Sequence, residues 1–191
     1  MYNVFMESLF EKTKRFVKDC FNNNAAQVLH FERTVYWLKC LKPEADEAFL
    51  IAAFGHDIER ASRMHKENMG RTKGFKDQAG LTYHQEKGAE MLGEFLQKNG
   101  ADIATVERVK HLVSNHEVGG DADQNLLKDV DSLSFVENNK QIFLSRFDKL
   151  GYSAIKEKFD WMFNRISDPR AKEIAKPFYQ NMIAELDKLK G

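Results

Sequence analysis

The sequence predicts an all-α fold, a compact single-domain helical bundle. Apolar side chains recur three and four positions apart along most of the chain, which is the spacing of one helix face. Only 11 glycines and 3 prolines occur among the 191 residues, so few positions interrupt that spacing. A chain of this length can bury one core well and is short for two. We therefore predict a single domain over residues 1–191.

Helices are predicted at about 2–22, 25–41, 44–60, 81–98, 102–117, 124–140, 148–166 and 169–189. In the second helix, His30 shares a face with Thr34 and Trp37, three or four positions apart along the helix. In the third, the apolar run from Phe49 to Gly55 places His56 on the stripe that faces inward.

The next two helices also carry a histidine on the apolar face. In the helix at 81–98, His84 lies on one face with Gly88 and Phe95, and the small pair Gly88-Ala89 allows a neighbouring helix to come close. In the helix at 102–117, His116 follows an apolar stripe that includes Val109 and Val113.

The remaining helices are predicted from a cluster of apolar residues and from residues that commonly begin or interrupt a helix. The helix at 124–140 contains Leu126, Leu127, Leu133 and Phe135. Before the last helix, Asp168 can cap free amides and Pro169 fits the first helical position. Pro177 should kink or split that helix, because proline cannot donate a backbone hydrogen bond.

The stretch 61–80 lacks clear helical periodicity. Between Glu59 and Asp77 it holds six basic and three acidic residues, a balance of +3. One interpretation is a solvated loop; the other is a lid that binds anionic phosphates. The basic residues are Arg60, Arg63, Lys66, Arg71, Lys73 and Lys76.

Composition narrows the classes of function. The 29 basic and 29 acidic residues cancel, which argues against nucleic acid as the main partner. Cys20 and Cys40 supply no disulfide framework and no paired metal motif. The N-terminus lacks the features of a secretory signal, and no apolar run is long enough to span a membrane. We expect a cytoplasmic protein with no membrane partner.

The dipeptide His56-Asp57 is the most informative feature of the chain. An imidazole and a carboxylate at the end of a buried apolar segment are costly to desolvate, and a divalent metal ion would offset that cost. Further groups of the right kind precede and follow the pair, namely His30, His84, His116 and Asp131.

Other polar groups compete for these roles. His111 lies five positions before His116, about 140° away on an ideal helix, so we expect it behind the ligands or on the surface. His65 lies in the basic stretch and is a candidate substrate contact or a surface residue. Asp129 competes with Asp131, which could also be a simple helix cap.

The ordered series resembles the HD-domain superfamily of metal-dependent phosphohydrolases. The resemblance covers roughly residues 25–135, leaving C-terminal helices over 138–191. It is carried by the segments His30–Arg33, Ala52–Arg60, His84–Ala89, Val113–His116 and Val130–Leu133. Glu59 departs from the pattern, since many relatives carry glycine there.

The resemblance implies a first metal centre of His30, His56, Asp57 and Asp131. It implies a second centre in which Asp57 is shared. The ligands of that second centre are Asp57, His84, His116 and water. Imidazole and carboxylate ligands suit iron, manganese, nickel, cobalt or zinc better than calcium. The two additional histidines are similar to those of dinuclear members, including bacterial symmetric dinucleotide hydrolases, whereas mononuclear nucleotidases need only the first set; one or two ions therefore remain open.

The implied activity is hydrolysis of a phosphate ester or phosphoanhydride, with a nucleotide as the expected small phosphorylated substrate. Asp57 would hold the metal ions at the reaction centre. Arg33, Arg60 and Lys87 each lie about one turn after a ligand and could bind phosphate oxygens.

Two other functions fit the same ligands: a dinuclear-iron oxygenase, and a non-catalytic nucleotide-binding regulatory module. Residues 138–191 either cover the pocket, form a homodimer surface or simply pack as helices. Their basic and aromatic residues include Arg146, Lys149, Lys156, Lys158, Trp161 and Arg165.

Overall fold

The computed structural model describes residues 7–64 and 76–190, and the regular secondary structure of those residues is entirely helical. The predicted all-α fold is confirmed. The helices are α1 Leu9–Cys20, α2 Ala25–Leu41, α3 Glu47–Gly55, α4 Glu59–Met64, α5 Gln78–Lys98, α6 Ile103–Val113, α7 Ala122–Asn138, α8 Lys140–Leu144, α9 Phe147–Asn164 and α10 Pro169–Lys188.

Side-chain caps fix where most of these helices begin. Asp46 accepts a hydrogen bond from the amide of Phe49 at the start of α3, and Asp121 forms a reciprocal capping box with Gln124 at the start of α7. Asp168 accepts from the first amides of α10, whose first residue is Pro169 as predicted. Such caps are each worth about 1 kcal/mol, because they satisfy amides that have no partner inside the helix.

The helices surround one buried apolar cluster. α2 packs against α3 and α7, α6 packs against α3 and α5, and α10 covers α7 and α9. Phe31, Phe49, Leu92, Leu112 and Leu127 are among the fully buried side chains of this cluster. Each large apolar side chain removed from water contributes about 1.5–3 kcal/mol. The core therefore fixes α2, α3, α5, α6 and α7 around a common centre.

Two helices end earlier than predicted, and both ends carry candidate ligands. The helix predicted over 44–60 is divided: α3 ends at Gly55 and α4 begins at Glu59. The amide of Ile58 donates to Gly55 O at 2.9 Å, a tight turn rather than a continued helix. The helix predicted over 102–117 ends at Val113. In both places an i→i+3 turn follows the helix and carries a histidine next to an acidic residue, His56-Asp57 and His116-Glu117.

Glycines allow close packing beside the first turn. A Cβ at Gly55 would lie 2.8 Å from the side chain of Leu92, and one at Gly88 would lie 3.3 Å from the backbone oxygen of His56. α5 can therefore approach the end of α3 closely, as the Gly88-Ala89 pair predicts. This approach brings His84 on α5 next to the turn.

Some predictions fall outside the described residues. His65 and the loop cations Lys66, Arg71 and Lys73 lie outside them, as does the side chain of Arg63. Lys76 contacts Glu157 at 2.5 Å.

Three differences concern the other helices. The short helix α8 was not predicted, α5 begins three residues before position 81, and α10 runs unbroken through Pro177. Among the described residues, no helix is both long and apolar enough to cross a bilayer.

Candidate metal centre

Four buried imidazole rings form a continuous row at the centre of the bundle. The ring centroids of His30 and His56 are 5.4 Å apart, those of His56 and His116 are 5.1 Å apart, and those of His84 and His116 are 5.1 Å apart. The rings come from α2, the turn after α3, the turn after α6, and α5. Residues separated by up to 86 positions in sequence thus meet at one site.

Backbone carbonyls orient two of these rings. Nδ1 of His56 lies 3.0 Å from Ala53 O, and Nδ1 of His116 lies 2.8 Å from Val113 O. A carbonyl can only accept, so each Nδ1 carries the proton that it donates. In the neutral form the lone pair of each ring is therefore on Nε2, which faces the other rings. In both turns, the backbone carbonyl three residues before the histidine therefore orients the imidazole ring.

Side chains orient the other two rings. Nδ1 of His30 lies 2.9 Å from Ser134 Oγ, and that hydroxyl donates its own proton to His30 O at 2.8 Å. Nδ1 of His84 lies 2.8 Å from Glu59 Oε2. All four histidines are therefore held so that Nε2 is available as a ligand atom, which is the usual arrangement behind metal-binding histidines.

Asp131 lies at one end of the row and Asp57 at its middle. Asp131 Oδ1 is 3.1 Å from Nε2 of His30 and 3.4 Å from Nε2 of His56. Asp57 Oδ1 is 2.9 Å from Nε2 of His84, and Asp57 Oδ2 is 3.9 Å from Nε2 of His56. Asp57 therefore lies between the two predicted ligand sets.

Glu117 adds a carboxylate that the sequence interpretation omitted. Its Oε1 lies 4.0 Å from Nε2 of His84. Ligand atoms of Asp57, His84, His116 and Glu117 all lie within 4.8 Å of one another, as do those of His30, His56 and Asp57. These two overlapping groups, which could hold metal ions, contain five of the six predicted ligand residues. The sixth, Asp131, lies beside them, 3.1 Å from Nε2 of His30.

Buried atoms that lack a hydrogen-bond partner indicate whether the clustered residues fit a metal ion. Nε2 of His56 and Nε2 of His116 are buried and have no hydrogen-bond partner in the described part of the chain. Nε2 of His84 and Asp57 Oδ1, only 2.9 Å apart, need a proton or a cation between their lone pairs. Imidazole nitrogens with carboxylate oxygens form a donor set for a divalent transition metal. The residues fit such an ion.

The balance of buried charges also favours a bound cation. Four acidic side chains, Asp57, Glu59, Glu117 and Asp131, are buried with two guanidinium groups nearby. With neutral imidazoles, the acidic groups exceed the guanidinium groups by two. Buried negative charge in excess is costly unless a cation accompanies it.

The pKa values of Asp57, Asp131 and His56 reflect this excess of buried negative charge. Burial alone would raise the pKa of Asp57, but Arg60 and His56 hold that pKa well below its ordinary value. Burial would likewise raise the pKa of Asp131, and Arg165 and His30 hold it well below normal. Burial would lower the pKa of His56, yet Asp57 and Asp131 raise it to about 9. In the metal-free chain a proton on His56 therefore balances charge that a metal ion would otherwise balance.

Two arginines hold the carboxylates. Arg60 donates from Nε to Asp57 Oδ1 at 2.7 Å and from Nη2 to Glu117 Oε1 at 3.0 Å. Arg165, at the end of α9, donates to Glu117 and Asp131. The Arg165 side chain is 9% exposed, whereas that of Arg60 is 45% exposed. Arg60 is therefore the guanidinium that a substrate in solution can reach.

A cavity of about 200 Å³ adjoins the cluster. Its walls include the ligand residues His30, Asp57 and Asp131 and the cations Arg60, Arg146, Lys158 and Arg165. Of the alternatives for the C-terminal region, the structure supports two together, because its helices pack on the core and also line the pocket. A larger cleft of about 810 Å³ between Leu41 and Arg170 contains none of the clustered histidines.

The other predicted cations have different neighbours. Arg33 forms a bidentate pair with Glu137, at 2.8 and 2.7 Å, and its guanidinium lies 3.9 Å from the ring centroid of Tyr36. Lys87 contacts Glu90 at 2.5 Å. Of the three cations predicted to bind substrate, Arg60 lines the cavity. The substrate roles of Arg33 and Lys87 stay predictions.

The competing polar residues are also placed. Asp129 accepts hydrogen bonds from the amides of Ser167 and Asp168, so it anchors the start of α10, and Asp131 is the aspartate at the cluster. His111 lies on the surface, 2.6 Å from Asp121. Choosing Asp131 and His116 over these neighbours agrees with the structure.

A family model described as "Domain of unknown function (DUF4202)" matches residues 13–178. The chain belongs to this family. No curated protein and no solved structure gives a match. The match is to DUF4202 and not to an HD-domain family, so the resemblance to HD-domain enzymes rests on the order and geometry of the ligands.

Sequence analysis missed Glu117 and the contacts of Arg165. A signal for Glu117 was present, because His116-Glu117 repeats the histidine–acid order of His56-Asp57. Nothing local marks Arg165, which is 34 residues from Asp131 and reaches it only because α9 packs on α7.

Proposed function

We propose that this protein is a metal-dependent phosphohydrolase that acts on a phosphate ester or phosphoanhydride, with a nucleotide as the expected substrate. One observation carries the proposal: preoriented imidazole and carboxylate ligands open into a cavity whose walls hold four cationic side chains. Such ligands suit a divalent ion, and such walls suit an anionic substrate.

The ligands divide into two sets around Asp57. His30, His56, Asp57 and Asp131 would hold the first ion. A second ion would be held by a set that includes Glu117 in addition to the predicted ligands. That set is Asp57, His84, His116 and Glu117. A divalent ion bound there acts as a Lewis acid and brings the pKa of a bound water into the neutral range.

The cationic residues would bind and orient the phosphate. Arg60 uses Nε and Nη2 on Asp57 and Glu117, and a guanidinium carries five N–H donors, so donors remain for phosphate oxygens. Because the same side chain contacts Asp57, phosphate bound by Arg60 would lie next to the ligand shared by both sets. Binding and positioning of this kind lower the barrier by holding the reacting groups together.

Lys158 extends the cationic wall. Burial and the neighbouring Arg165 lower the pKa of Lys158 to about 7. Its ammonium lies 4.3 Å from the ring centroid of Trp161. A bound phosphate would favour the protonated lysine, so substrate binding and protonation of Lys158 would support each other.

The cavity walls favour phosphohydrolysis over the two alternatives. An oxygenase has no general need for four cations beside its metal ligands. A binding module has no need for an open metal position. Phosphate release that continues under strict anaerobiosis would count against the oxygenase, and any turnover would count against the binding module.

The direct test joins metal analysis with an assay of phosphate release. The protein is stripped of metal, reloaded separately with manganese, iron, cobalt, nickel or zinc, and incubated with nucleoside mono-, di- and triphosphates and with simple phosphate esters. We expect metal-dependent phosphate release that Asp57→Ala abolishes. Protein that binds metal stoichiometrically yet releases phosphate from none of these compounds would overturn the proposal.

A further inference from the structure

We propose that the end of the cavity remote from the metal ligands is a recognition site for the organic part of a small phosphate monoester, in which Asn139 binds a hydrogen-bond donor of that part. This inference rests on the proposed function and specifies its substrate class. It starts from the polar atoms that the fold leaves without partners.

Three buried side-chain atoms lack a hydrogen-bond partner in the described part of the chain: Nε2 of His56, Nε2 of His116 and Oδ1 of Asn139. The first two belong to the metal centre. The third belongs to a residue that lines the same cavity. A buried acceptor without a partner costs about 1–3 kcal/mol, and rotation of the Asn139 amide about its Cβ–Cγ bond would turn Oδ1 from its buried position toward the cavity, where a ligand can donate to it.

Asn139 lies at a position where its side chain would ordinarily form a hydrogen bond with the backbone. Asn139 immediately precedes α8, where an asparagine side chain commonly caps the helix, yet its side chain makes no capping hydrogen bond. The amide is therefore not used for the local structure in which it sits.

The path from the metal ligands to Asn139 follows one face of α7. Asp131, Phe135 and Asn139 are four positions apart and all three line the cavity. At a rise of about 1.5 Å per residue, Phe135 lies about 6 Å and Asn139 about 12 Å along the axis from Asp131. A phosphate next to Asp131 would leave the space beside Phe135 for the organic part of the substrate.

Apolar side chains form part of the wall of that space. Phe135, Ile142, Phe143 and Met162 line it, and the ring centroids of Phe135 and Phe143 are 5.4 Å apart in an edge-to-face arrangement. α8 contributes two of these side chains. These apolar side chains, together with the amides of Asn139 and Gln27 that also line the cavity, fit a compact ring that carries an O–H or N–H group.

The volume of the cavity limits the size of the substrate. A cavity of about 200 Å³ is smaller than the roughly 300–1,000 Å³ of pockets that enclose drug-sized ligands. The described walls thus enclose the volume of a monoester with one ring or a short chain, and the base of a nucleotide or the second half of a dinucleotide would extend beyond them.

Binding of matched phosphonates tests the inference without requiring hydrolysis. The probes are inorganic phosphate, phenylphosphonate, and the 3- and 4-hydroxyphenyl phosphonates, titrated calorimetrically into metal-loaded protein. We expect one hydroxyphenyl compound to bind wild-type protein about tenfold more tightly than phenylphosphonate, the gain of one satisfied buried acceptor.

Asn139→Leu should remove the preference for the hydroxyl group, because it keeps the volume and removes the acceptor. Asn139→Ala serves if the leucine variant does not fold, and Gln97→Leu, which replaces an exposed amide side chain on α5, is the control that should keep the preference. An equal preference in wild type and Asn139→Leu overturns the inference, as does no preference or no phosphonate binding in wild type. Because the phosphonates resist hydrolysis, these results are distinguishable from a protein that fails to release phosphate.

Discussion

Oε2 of Glu59 accepts a hydrogen bond of 2.8 Å from Nδ1 of His84, and both side chains are buried. Glu59 is the residue at which the sequence departs from the HD-domain pattern. The structure gives the departure a physical role, because the carboxylate fixes the ring of His84 and leaves Nε2 to face Asp57. A carboxylate behind a ligating histidine also raises the basicity of the ligand.

Removing this carboxylate should weaken binding of the second metal ion. We expect Glu59→Gln to retain the hydrogen bond but lose the charge, and Glu59→Ala to lose both, with a loss of about tenfold to 100-fold in affinity for the more severe variant. Metal affinity is measured by competition with a chromophoric chelator. Glu94→Gln, an exposed position on α5, is the control. Unchanged affinity in Glu59→Ala would show that His84 needs no such support.

The sequence was sufficient to predict which residues form the cluster but not the backbone structure around them. His30, His84 and His116 could be chosen because each follows the apolar phase of its own segment, which is a local property. The turns after Gly55 and Val113 could not be foreseen from that phase, because apolar periodicity continues across both breaks. Tertiary packing decides where these helices end and which residues of neighbouring helices meet.

Contacts between distant segments also could not be predicted from the sequence. The hydrogen bonds of Arg165 to Glu117 and Asp131 span 48 and 34 residues. No spacing rule connects positions so far apart without homologous sequences or the packing of α9 on α7. The short helix α8, which places Ile142 and Phe143 in the cavity, is too brief to show a periodicity.

Asp57→Ala should abolish phosphate release and most metal binding while leaving a helical protein. The side chain lies between the two ligand groups, whereas the helices are held together by a separate set of apolar side chains. Elemental analysis, circular dichroism and the phosphate assay follow the three properties. Asp19→Ala, at an exposed site on α1, is the control. Normal turnover by Asp57→Ala would refute the metal mechanism.

The two ligand sets should be separable by metal stoichiometry. His84→Ala and His116→Ala remove ligands that belong to one group, so we expect each to lose the second ion and to retain the first. His30→Ala should show the reverse order of loss. Metal content per chain is measured after dialysis against graded chelator concentrations. If His84→Ala and His116→Ala keep both stoichiometry and rate, the protein works with one ion.

The protonation of His56 should appear in the stability of the metal-free protein. Its pKa is raised from 6.5 to about 9, so the stabilisation is complete below about pH 6.5 and is lost as pH rises through about 9. We expect the advantage of wild type over His56→Gln in free energy of unfolding to shrink by on the order of 3 kcal/mol between those limits. Urea unfolding of chelator-treated protein at several pH values measures it.

Lys158 titrates in the same range with the opposite sign. Its lowered pKa of about 7 destabilises the folded chain below that pH, and this penalty disappears as pH rises toward 10.5. Both proteins in the His56 comparison carry Lys158, so its contribution cancels from their difference. A wild-type advantage that stays constant with pH would contradict the charge pairing of His56 with Asp57 and Asp131.

The final prediction concerns Arg60, the one of the three predicted phosphate contacts that lines the cavity. Arg60→Ala should lower kcat/KM by roughly tenfold to 100-fold, because a well-formed charged contact to phosphate contributes about 1.5–3 kcal/mol. Arg33→Ala and Lys87→Ala are the matched comparisons: their cations contact Glu137 and Glu90, and we expect losses of less than about threefold. Metal content is measured alongside, since Arg60 also touches Asp57. A loss in Arg60→Ala that exceeds the loss of metal, and that differs between mono- and triphosphate substrates, identifies a substrate contact. Equal losses in all three variants would instead mean that general positive charge, rather than the placement of Arg60, attracts the substrate.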